Sequence, residues 1–397
     1  MSANSLTSRL RGHVFGAVLG SALLAANVDV SAQPGAVATK SAPTNGTARS
    51  VVVAEGLSNP WALAFLPGDP DGRMLVTERA GRMRIVSKDG KVSAALAGVP
   101  TVHAASQGGL MDVVASPDFL RDRTIYFSFS QPVSGGARTA VASAQLAAGE
   151  SKIENVKIIF AQADVVGGGH HFGSRIAIAR DGSLFITTGD RYSEKGKAQS
   201  LETHLGKVIR VNADGTVPRD NPFAHNAAAS ANARKEIWSY GHRNLQGAAM
   251  HPVSGKLWTH EHGPRGGDEL NVSLAGKNYG WPVIGFGIDY SGLRLHDSTA
   301  KTGMEQPIHY WLPSIAPSGM AFYAADRFLR WKNSLFVGAL SGQHLARLTL
   351  DGERVVAEER LLLDLKSRIR DVRQGPDGFV YVLTDDANGK ILRVSPG

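Results

Sequence analysis

Cysteine is absent from the 397-residue sequence, so disulfide bonds, thiolate metal ligands and a catalytic thiol are excluded. Long apolar runs are also scarce. Only Val14–Ala26 stands out, and it is too short for a permanent membrane anchor, so we do not expect a transmembrane protein. Dense basic runs are missing too, because the lysines and arginines behind the net charge of +8 are scattered. We expect no nucleic-acid partner, whereas an anionic small molecule is compatible with this charge.

The motifs of several common enzyme classes are also missing. The chain has no Gly-x-Ser-x-Gly elbow, no phosphate-binding loop and no dinucleotide fingerprint ahead of a helix. The zinc motif His-Glu-x-x-His is absent, and the spacing in His260-Glu-His262 does not support a zinc site. Any redox chemistry would therefore need a cofactor other than a nicotinamide bound by a Rossmann fold.

The sequence divides into three parts. Residues 1–32 have the composition of a secretion signal peptide, with two arginines before the apolar run and the small residues Val30-Ser-Ala32 for cleavage. Residues 33–49, rich in Ala, Thr, Ser and Pro, resemble a flexible leader. Residues 50–397 show no change in composition that would divide them, and we expect one catalytic domain there. The mature protein is predicted to be soluble, exported and periplasmic.

A repeated pattern, a glycine-containing turn followed by an apolar strand, predicts the fold. Four copies lie at Asp71–Thr77, Asp181–Thr187, Ser254–Thr259 and Asp377–Thr384, and a weaker fifth lies at Lys332–Gly338. Such self-similarity with short strands is typical of an all-β, six-bladed β-propeller built of four-stranded antiparallel blades. Acidic residues follow four of the strands, and we expect them around one mouth of the central channel: Glu78, Asp190, Glu261 and Asp385.

The stretch Gly167–Arg191 contains the best candidate for catalysis. Two strand-like segments flank Asp181-Gly182, which predicts a β-hairpin. His170 and His171 precede the first strand on a loop that begins with three glycines. A histidine before a strand is often an ordinary surface residue, but this doublet lies between a glycine run and Asp190-Arg191, which favours a function. An imidazole titrates near neutrality and can accept a proton from an alcohol.

The stretch Glu261–Asn271 places carboxylates among glycines. Calcium binds six to eight oxygens with loose geometry, and Asp268, Glu269 and the backbone oxygens of Gly263 and Pro264 could supply them. A solvated turn explains the same composition equally well.

Arg368 and Arg370 alternate, so on a strand both side chains point to the same face. Two guanidinium groups on one face suit a ligand that carries carboxylates, since each can bind bidentately. An exposed charged strand face is the alternative interpretation.

Motifs along nearly the whole chain, from about Val51 to Pro396, resemble those of the soluble quinoprotein sugar dehydrogenases. This is the glucose/sorbosone dehydrogenase family, and the similarity is greatest to its aldose sugar dehydrogenase branch. The motifs that carry the resemblance are Asn59-Pro-Trp-Ala62, Thr77-Glu-Arg79, Gln107–Asp112, His171–Arg175, Gly189-Asp190, Gly241–Asn244, Glu261–Pro264, Asn278–Pro282, Ala316–Ser318 and Arg368–Asp371. The resemblance implies a six-bladed propeller that binds pyrroloquinoline quinone (PQQ) and Ca²⁺ on one face.

The resemblance also implies roles for single residues. His171 corresponds to the general base that takes the proton of the anomeric hydroxyl. Arg243 and Asn244 match the pair beside the reactive quinone carbonyl. Gly263 and Pro264 match the backbone-oxygen ligands of the calcium under the cofactor.

The remaining correspondences concern a second metal and the cofactor. Glu269 and the carbonyl of Tyr279 match ligands of a structural calcium. Gln107, Arg368 and Arg370 match cofactor contacts, with the arginines facing the PQQ carboxylates.

Some positions depart from the family pattern. Ser341 stands where members often have a cofactor-binding lysine, and His309 and Leu312 replace aromatic residues that cover the cofactor in the glucose-oxidising branch. His170 replaces an acidic residue of that branch, so its sugar preference does not transfer to this chain.

The sequence therefore predicts a periplasmic quinoprotein that oxidises the anomeric carbon of aldose sugars to lactones. A calcium-dependent propeller lactonase and a non-catalytic propeller that binds glycan or protein are the alternatives. The sugar and the electron acceptor are not specified by the sequence, and a monomer and a homodimer are both compatible with it.

Overall fold

The protein is described by a computed structural model that covers residues 42–69, 72–225 and 231–397. Its regular structure is nearly all β-strand, arranged in six sheets. The helical elements of this part are short, namely α1 (Phe119–Asp122) and 3-10 turns at Lys195–Gln199, Leu329–Trp331 and Leu363–Leu365. None of the helices in these ranges is long and apolar enough to span a membrane. The predicted signal peptide, residues 1–32, and residues 33–41 of the predicted leader lie outside the described residues.

The strands follow one another blade by blade. Strands β1 (Thr44–Asn45) and β2 (Ala48–Leu57) come first. Blade 1 contains β3 (Pro60–Phe65), β4 (Met74–Glu78) and β5 (Arg82–Val86). Blade 2 contains β6 (Leu110–Ala115), β7 (Thr124–Val133), β8 (Gly136–Leu146) and β9 (Ile153–Ala161). Blade 3 contains β10 (Ile176–Ile178), β11 (Leu184–Thr187), β12 (Lys207–Val211) and β13 (Ile237–Tyr240).

The second half continues in the same order. Blade 4 contains β14 (Leu245–Met250), β15 (Leu257–Glu261), β16 (Asp268–Ser273) and β17 (His309–Trp311). Blade 5 contains β18 (Pro317–Phe322), β19 (Ser334–Ala339), β20 (His344–Asp351) and β21 (Arg354–Leu361). Blade 6 contains β22 (Ile369–Gln374), β23 (Val380–Thr384) and β24 (Gly389–Pro396).

The two N-terminal strands join the last two blades. β2 pairs antiparallel with β24 and becomes the outer strand of blade 6, so strands from both ends of the described chain share one sheet. β1 adds to β21 of blade 5 in the only parallel pairing between strands of the described residues. The predicted six-bladed propeller with four-stranded antiparallel blades is confirmed, although blade 1 has three strands and blade 5 gains a fifth.

The innermost strands form a closed ring around the channel. β3, β6, β10, β14, β18 and β22 each contact the next, and β22 returns to β3. The predicted repeats are the second strands of their blades: β4, β11, β15 and β23, with β19 as the weaker copy. The hairpin predicted around Asp181-Gly182 is the antiparallel pair β10–β11.

The core is divided among the blade interfaces. Six apolar clusters are present in the described residues, and each joins two neighbouring blades. For example, Leu63 and Met74 of blade 1 pack with Leu383 of blade 6. Because each blade buries one face against each neighbour, its strands are apolar on both faces, which explains their nearly continuous burial.

A buried ionic network fills the centre of the ring. Arg175 Nη1 lies 3.1 Å from Asp112 Oδ1 and 2.9 Å from Asp371 Oδ1. Arg373 pairs with the same two carboxylates at 2.7 and 3.0 Å. Asp371 also accepts a hydrogen bond from the Leu63 amide, 308 residues away in sequence. The network therefore ties blades 1, 2, 3 and 6 together at the axis.

Candidate active site

The loops that lead into the inner strands, with those that leave the second strands, line one mouth of the channel. A cavity of about 260 Å³ opens there. Four of the residues predicted to bind a cofactor line it, namely Gln107, Asn244, Arg368 and Arg370. Trp61 and Asp385 also line this cavity. Trp61 stacks over Arg175, with the guanidinium carbon 4.2 Å from the ring centre, so the ionic network adjoins the cavity wall.

A second, small cavity of about 20 Å³ adjoins the first. It is lined by the other predicted cofactor and metal residues, namely Arg243, Gly263, Pro264, Glu269 and Tyr279. His262 lines both cavities. The structure thus brings predicted residues from the loops and strands of blades 2, 4 and 6 to one place.

His171 lies beside these cavities rather than in their lining. Its backbone N–H donates to Gln107 Oε1 at 2.8 Å, and its side chain is only 5% exposed. The backbone at His171 adopts φ = 52°, a left-handed conformation that is uncommon for a residue other than glycine. Burial lowers the pKa of His171, although its bond with Asp190 raises it, so the imidazole is neutral at neutral pH.

Asp190 orients this imidazole. His171 Nδ1 and Asp190 Oδ1 are 2.6 Å apart, and because a carboxylate only accepts, Nδ1 carries the proton. The lone pair of the neutral ring is then on Nε2. Asp190 is itself fixed, since its Oδ2 accepts from Trp281 Nε1 at 2.8 Å and its Oδ1 from the Tyr192 amide at 2.8 Å. A neutral imidazole oriented by a buried carboxylate is the arrangement that a general base requires.

Arg243 holds a neighbouring position. Its Nη1 donates to the carbonyls of His262 (3.0 Å) and Gly263 (2.9 Å). Its backbone N–H donates to Glu261, whose other oxygen bonds His242 Nδ1 at 2.8 Å. Arg243 is 4% exposed, and its hydrogen-bonded guanidinium is a fixed positive charge near His171.

Asp268, proposed from the sequence as a possible calcium ligand, instead connects two loops. Its Oδ1 accepts from the Gly263 amide at 2.9 Å, and its Oδ2 accepts from Ser314 Oγ and the amides of Ile315 and Ala316 at 2.7 to 2.9 Å. Burial raises the pKa of Asp268 despite these bonds. The carboxylate thereby sets the position of the Gly263 loop.

The two arginines of blade 6 converge as predicted. Arg368 and Arg370 each donate an Nη2 hydrogen bond of 3.0 Å to Asp385 Oδ2. Arg368 reaches solvent, whereas burial lowers the pKa of Arg370. The Nε of Arg370 is buried and makes no hydrogen bond. The pair presents more donors to the cavity wall than Asp385 satisfies.

Two carboxylates border the small cavity. Glu261 and Glu269 are direct partners in the β15–β16 ladder. Burial and the neighbouring Glu261 raise the pKa of Glu269 well above its usual range. No group of three or more His, Asp or Glu side chains in the described ranges is arranged to hold a metal, so a cation here would also need backbone oxygens.

The positions that depart from the family pattern lie in different places. Ser341 is exposed next to Leu340, which lines the larger cavity, and its hydroxyl donates to the Ser314 carbonyl at 3.2 Å. His309 lies away from the cavities and pairs with Glu358 at 3.2 Å. Leu312 is 56% exposed.

The sequence pattern gave no role to some residues of this site. Asp190 and His262 lie in motifs that carry the family resemblance, but neither was assigned a chemical role. Burial lowers the pKa of His262 to about 3, and its Nε2 donates to the Pro317 carbonyl at 2.7 Å. Strand-end acids were the available indication, because Asp190, Glu261 and Asp385 each bond a predicted site residue.

Known proteins resemble this chain over most of its length. The aldose sugar dehydrogenase YliI of Escherichia coli (strain K12) is 46% identical over 348 residues, which are 87% of this chain and 92% of that protein. The apo-form crystal structure of the soluble E. coli aldose sugar dehydrogenase superposes with a TM-score of 0.84 at 44% identity, covering 88% of this chain and all of that one. The PQQ-bound aldose sugar dehydrogenase of Streptomyces coelicolor gives 0.71 at 28% identity, covering 89% and 100%.

A family profile agrees with these matches. The profile described as Glucose / Sorbosone dehydrogenase matches residues 57–393, which include all six inner strands and every site residue discussed above. This chain therefore belongs to the glucose/sorbosone dehydrogenase family.

Proposed function

We propose that this protein is a PQQ-dependent aldose sugar dehydrogenase that oxidises the anomeric carbon of an aldose to the lactone. The observation that carries the proposal is the buried His171–Asp190 pair near Arg243, beside a cavity that Arg368 and Arg370 line. The names of the E. coli and S. coelicolor relatives support the same reaction and cofactor.

The residues present fit PQQ, which carries three carboxylates. Arg368 and Arg370 offer guanidinium donors to the cavity, and the buried Arg370 Nε has no partner within the protein. Gln107 and Asn244 add neutral amides to the lining of the same cavity. We propose that these four residues bind the cofactor.

The small cavity fits Ca²⁺. Ionising both Glu261 and Glu269 in this buried place is costly unless a cation shares their charge. Hard cations prefer carboxylate and carbonyl oxygens, and this donor set is made of them. We propose that Gly263 and Pro264 offer carbonyls to a calcium next to the cofactor, and that Glu269 and the Tyr279 carbonyl bind a structural calcium.

The protein's own groups would perform the proton transfer. His171 Nε2 accepts the proton of the anomeric hydroxyl, and Asp190 stabilises the resulting imidazolium through Nδ1. Arg243 is placed to stabilise negative charge that develops near the base. When bound, PQQ supplies the acceptor for the hydride that leaves the anomeric carbon.

The location we propose is the periplasm. It is supported by the composition of residues 1–32, with arginines ahead of a short apolar run and small residues at the end.

The test is dye-linked oxidation of several aldoses by the metal-free, cofactor-free protein, with PQQ and Ca²⁺ added singly and together. We expect activity only when both are present. A protein that opens lactones with Ca²⁺ alone, and oxidises no aldose with PQQ, would instead be a hydrolase. One that binds sugars without converting them would be a binding protein.

A further inference from the structure

An exposed aromatic ring lies against the catalytic pair. The ring of Tyr192 meets that of His171 at a centroid distance of 5.4 Å and an angle of 79°, and it lies 5.9 Å from the ring of His170. Tyr192 is nonetheless 55% exposed. An aromatic ring that packs on a buried histidine and still has half its surface in solvent is available to a ligand bound beside that histidine, and its polar tip can stay in water.

The backbone holds this ring in place at some strain. Arg191 and Tyr192 are both left-handed, with φ of 56° and 67°, which residues other than glycine rarely adopt in succession. Buried Arg191 fixes the turn by donating to the carbonyls of Ala137, Gly168 and His170 at 2.6 to 2.8 Å. The Tyr192 amide donates to Asp190 Oδ1, the oxygen that also bonds His171. The ring is thus held in a fixed relation to the base.

We propose that Tyr192 is a substrate-binding residue, against which the apolar C–H face of a pyranose packs while the anomeric hydroxyl reaches His171. The proposal rests on the proposed dehydrogenase function. Sugars carry flat patches of C–H groups that pack on aromatic rings, and the tyrosine hydroxyl can stay in water. Aldoses whose axial hydroxyls interrupt that face would pack less well, so Tyr192 would select among epimers.

A second exposed tyrosine contacts Arg243. Tyr290 is 57% exposed, and its hydroxyl lies 3.4 Å from Arg243 Nη2. Tyr192 and Tyr290 therefore each contact one member of the His171–Arg243 pair.

The experiment compares Tyr192→Phe, Tyr192→Leu and Tyr192→Ala in enzyme loaded with PQQ and Ca²⁺. We expect Tyr192→Leu and Tyr192→Ala to raise KM for D-glucose about tenfold, as for the loss of an aromatic contact, with little change in kcat. Tyr192→Phe should stay close to wild type. The preference between D-glucose and D-galactose should shrink in the Leu and Ala variants. Val253→Ala, at a side chain 80% exposed on a distant turn, is the control.

A direct binding measurement tests the role of Tyr192 independently of the oxidation reaction. The dissociation constant of 1,5-anhydro-D-glucitol, which lacks the anomeric hydroxyl, is measured by calorimetry for each loaded variant. It should rise in parallel with KM. Unchanged KM and unchanged binding would overturn the inference, and so would a fall in kcat with a shifted pH profile at constant KM, which would mean that Tyr192 acts through His171. If wild type binds the analogue but oxidises no sugar, the dehydrogenase proposal fails while the binding role of Tyr192 is still decided.

Discussion

At the scale of single residues, the chemistry depends on how one histidine is surrounded. His171 is buried, donates through Nδ1 to Asp190 and is therefore held with Nε2 as its acceptor. His170, its neighbour in sequence, is exposed and only reaches Ser106 Oγ at 3.2 Å. His170 and His171 are adjacent, but of the two only His171 is buried and oriented by a carboxylate. His171 is therefore the histidine suited to act as a base.

Replacing the base tests this directly. We expect His171→Gln to lower kcat by roughly 10²–10⁴, the usual contribution of a general base, while PQQ affinity stays within a small factor. Steady-state rates with several aldoses and a cofactor titration measure the two effects. His170→Gln is the matched control and should keep most of the activity. Near-normal turnover in His171→Gln would assign the proton transfer to another group.

The pH dependence follows from the same surroundings. Because burial lowers the pKa of His171, the base stays unprotonated below its ordinary pKa of about 6.5, and the acid limb of kcat/KM should lie below that pH. Asp190→Asn removes a carboxylate that raises this pKa, so any remaining activity should have its limb still lower. The rate should also fall strongly, because an amide can stabilise the wrong tautomer. An acid limb above pH 7 in wild type would contradict this account.

At the scale of elements, the repeats that predicted the propeller are recognisable in the sequence because of the turns that precede the second strands. Gly72, Gly182, Gly255 and Gly378 occupy left-handed positions there, with φ between 62° and 82°, and these four turns marked the repeats. Blade 2 was missed because Arg123 takes this position with φ = 53°. A non-glycine residue in the same conformation leaves no trace in the sequence pattern.

The site, like the fold, was predicted only in part from the sequence. His171, Arg243 and Arg370 were predicted to lie at one site because their motifs resemble those of a family whose cofactor binds on one face of the propeller. The pairing of His171 with Asp190 was not predicted, although both lie on loops flanking the β10–β11 hairpin, since it depends on side-chain direction. Asp268 shows what a motif alone does not give. A carboxylate among glycines suits calcium, but in the structure the oxygens of Asp268 accept hydrogen bonds from backbone amides.

The β15–β16 loop is the element on which calcium should act. If Glu269 binds the metal, chelation should lower the melting temperature by a few degrees, because an ion bound only to the native state adds about 2.7 kcal/mol at a hundredfold excess over Kd. Thermal unfolding with and without a chelator measures this. Glu269→Gln should lose the calcium dependence, whereas Glu353→Gln, in a surface ion pair with Lys256, should keep it. Equal melting curves for wild type in both buffers would mean that this loop does not bind calcium.

At the scale of the whole molecule, the axial ionic network connects blades that are distant in sequence. Asp112 and Asp371 are fully buried and share Arg175 and Arg373. If one of the two arginines were removed, two buried carboxylates would share a single guanidinium, and their charge would be poorly compensated. Removing one partner of a buried ion pair is far more costly than replacing the whole pair with apolar residues.

We therefore expect Arg175→Met to lower the free energy of unfolding by about 3 kcal/mol or more, since removing one partner of a buried pair leaves uncompensated charge. Urea unfolding of the cofactor-free protein is the measurement. Arg354→Met, which breaks an exposed pair with Asp351, is the matched control and should change stability by less than about 1 kcal/mol. Similar stability of the two variants would show that the network has little energetic weight.

The pairing of β2 with β24 also affects how the chain folds during synthesis. Blade 6 cannot be completed until its last strand, β24, has left the ribosome, because Arg49 of β2 pairs with Ser395 of β24. At a synthesis rate of about 5–20 residues per second, β2 waits roughly 17–70 s for its partner. During that interval it is an unpaired, apolar strand edge, the kind of segment that aggregates or is held by a chaperone. A nascent chain stalled before β24 should therefore be captured by a chaperone through β2, and released once the final strand is made.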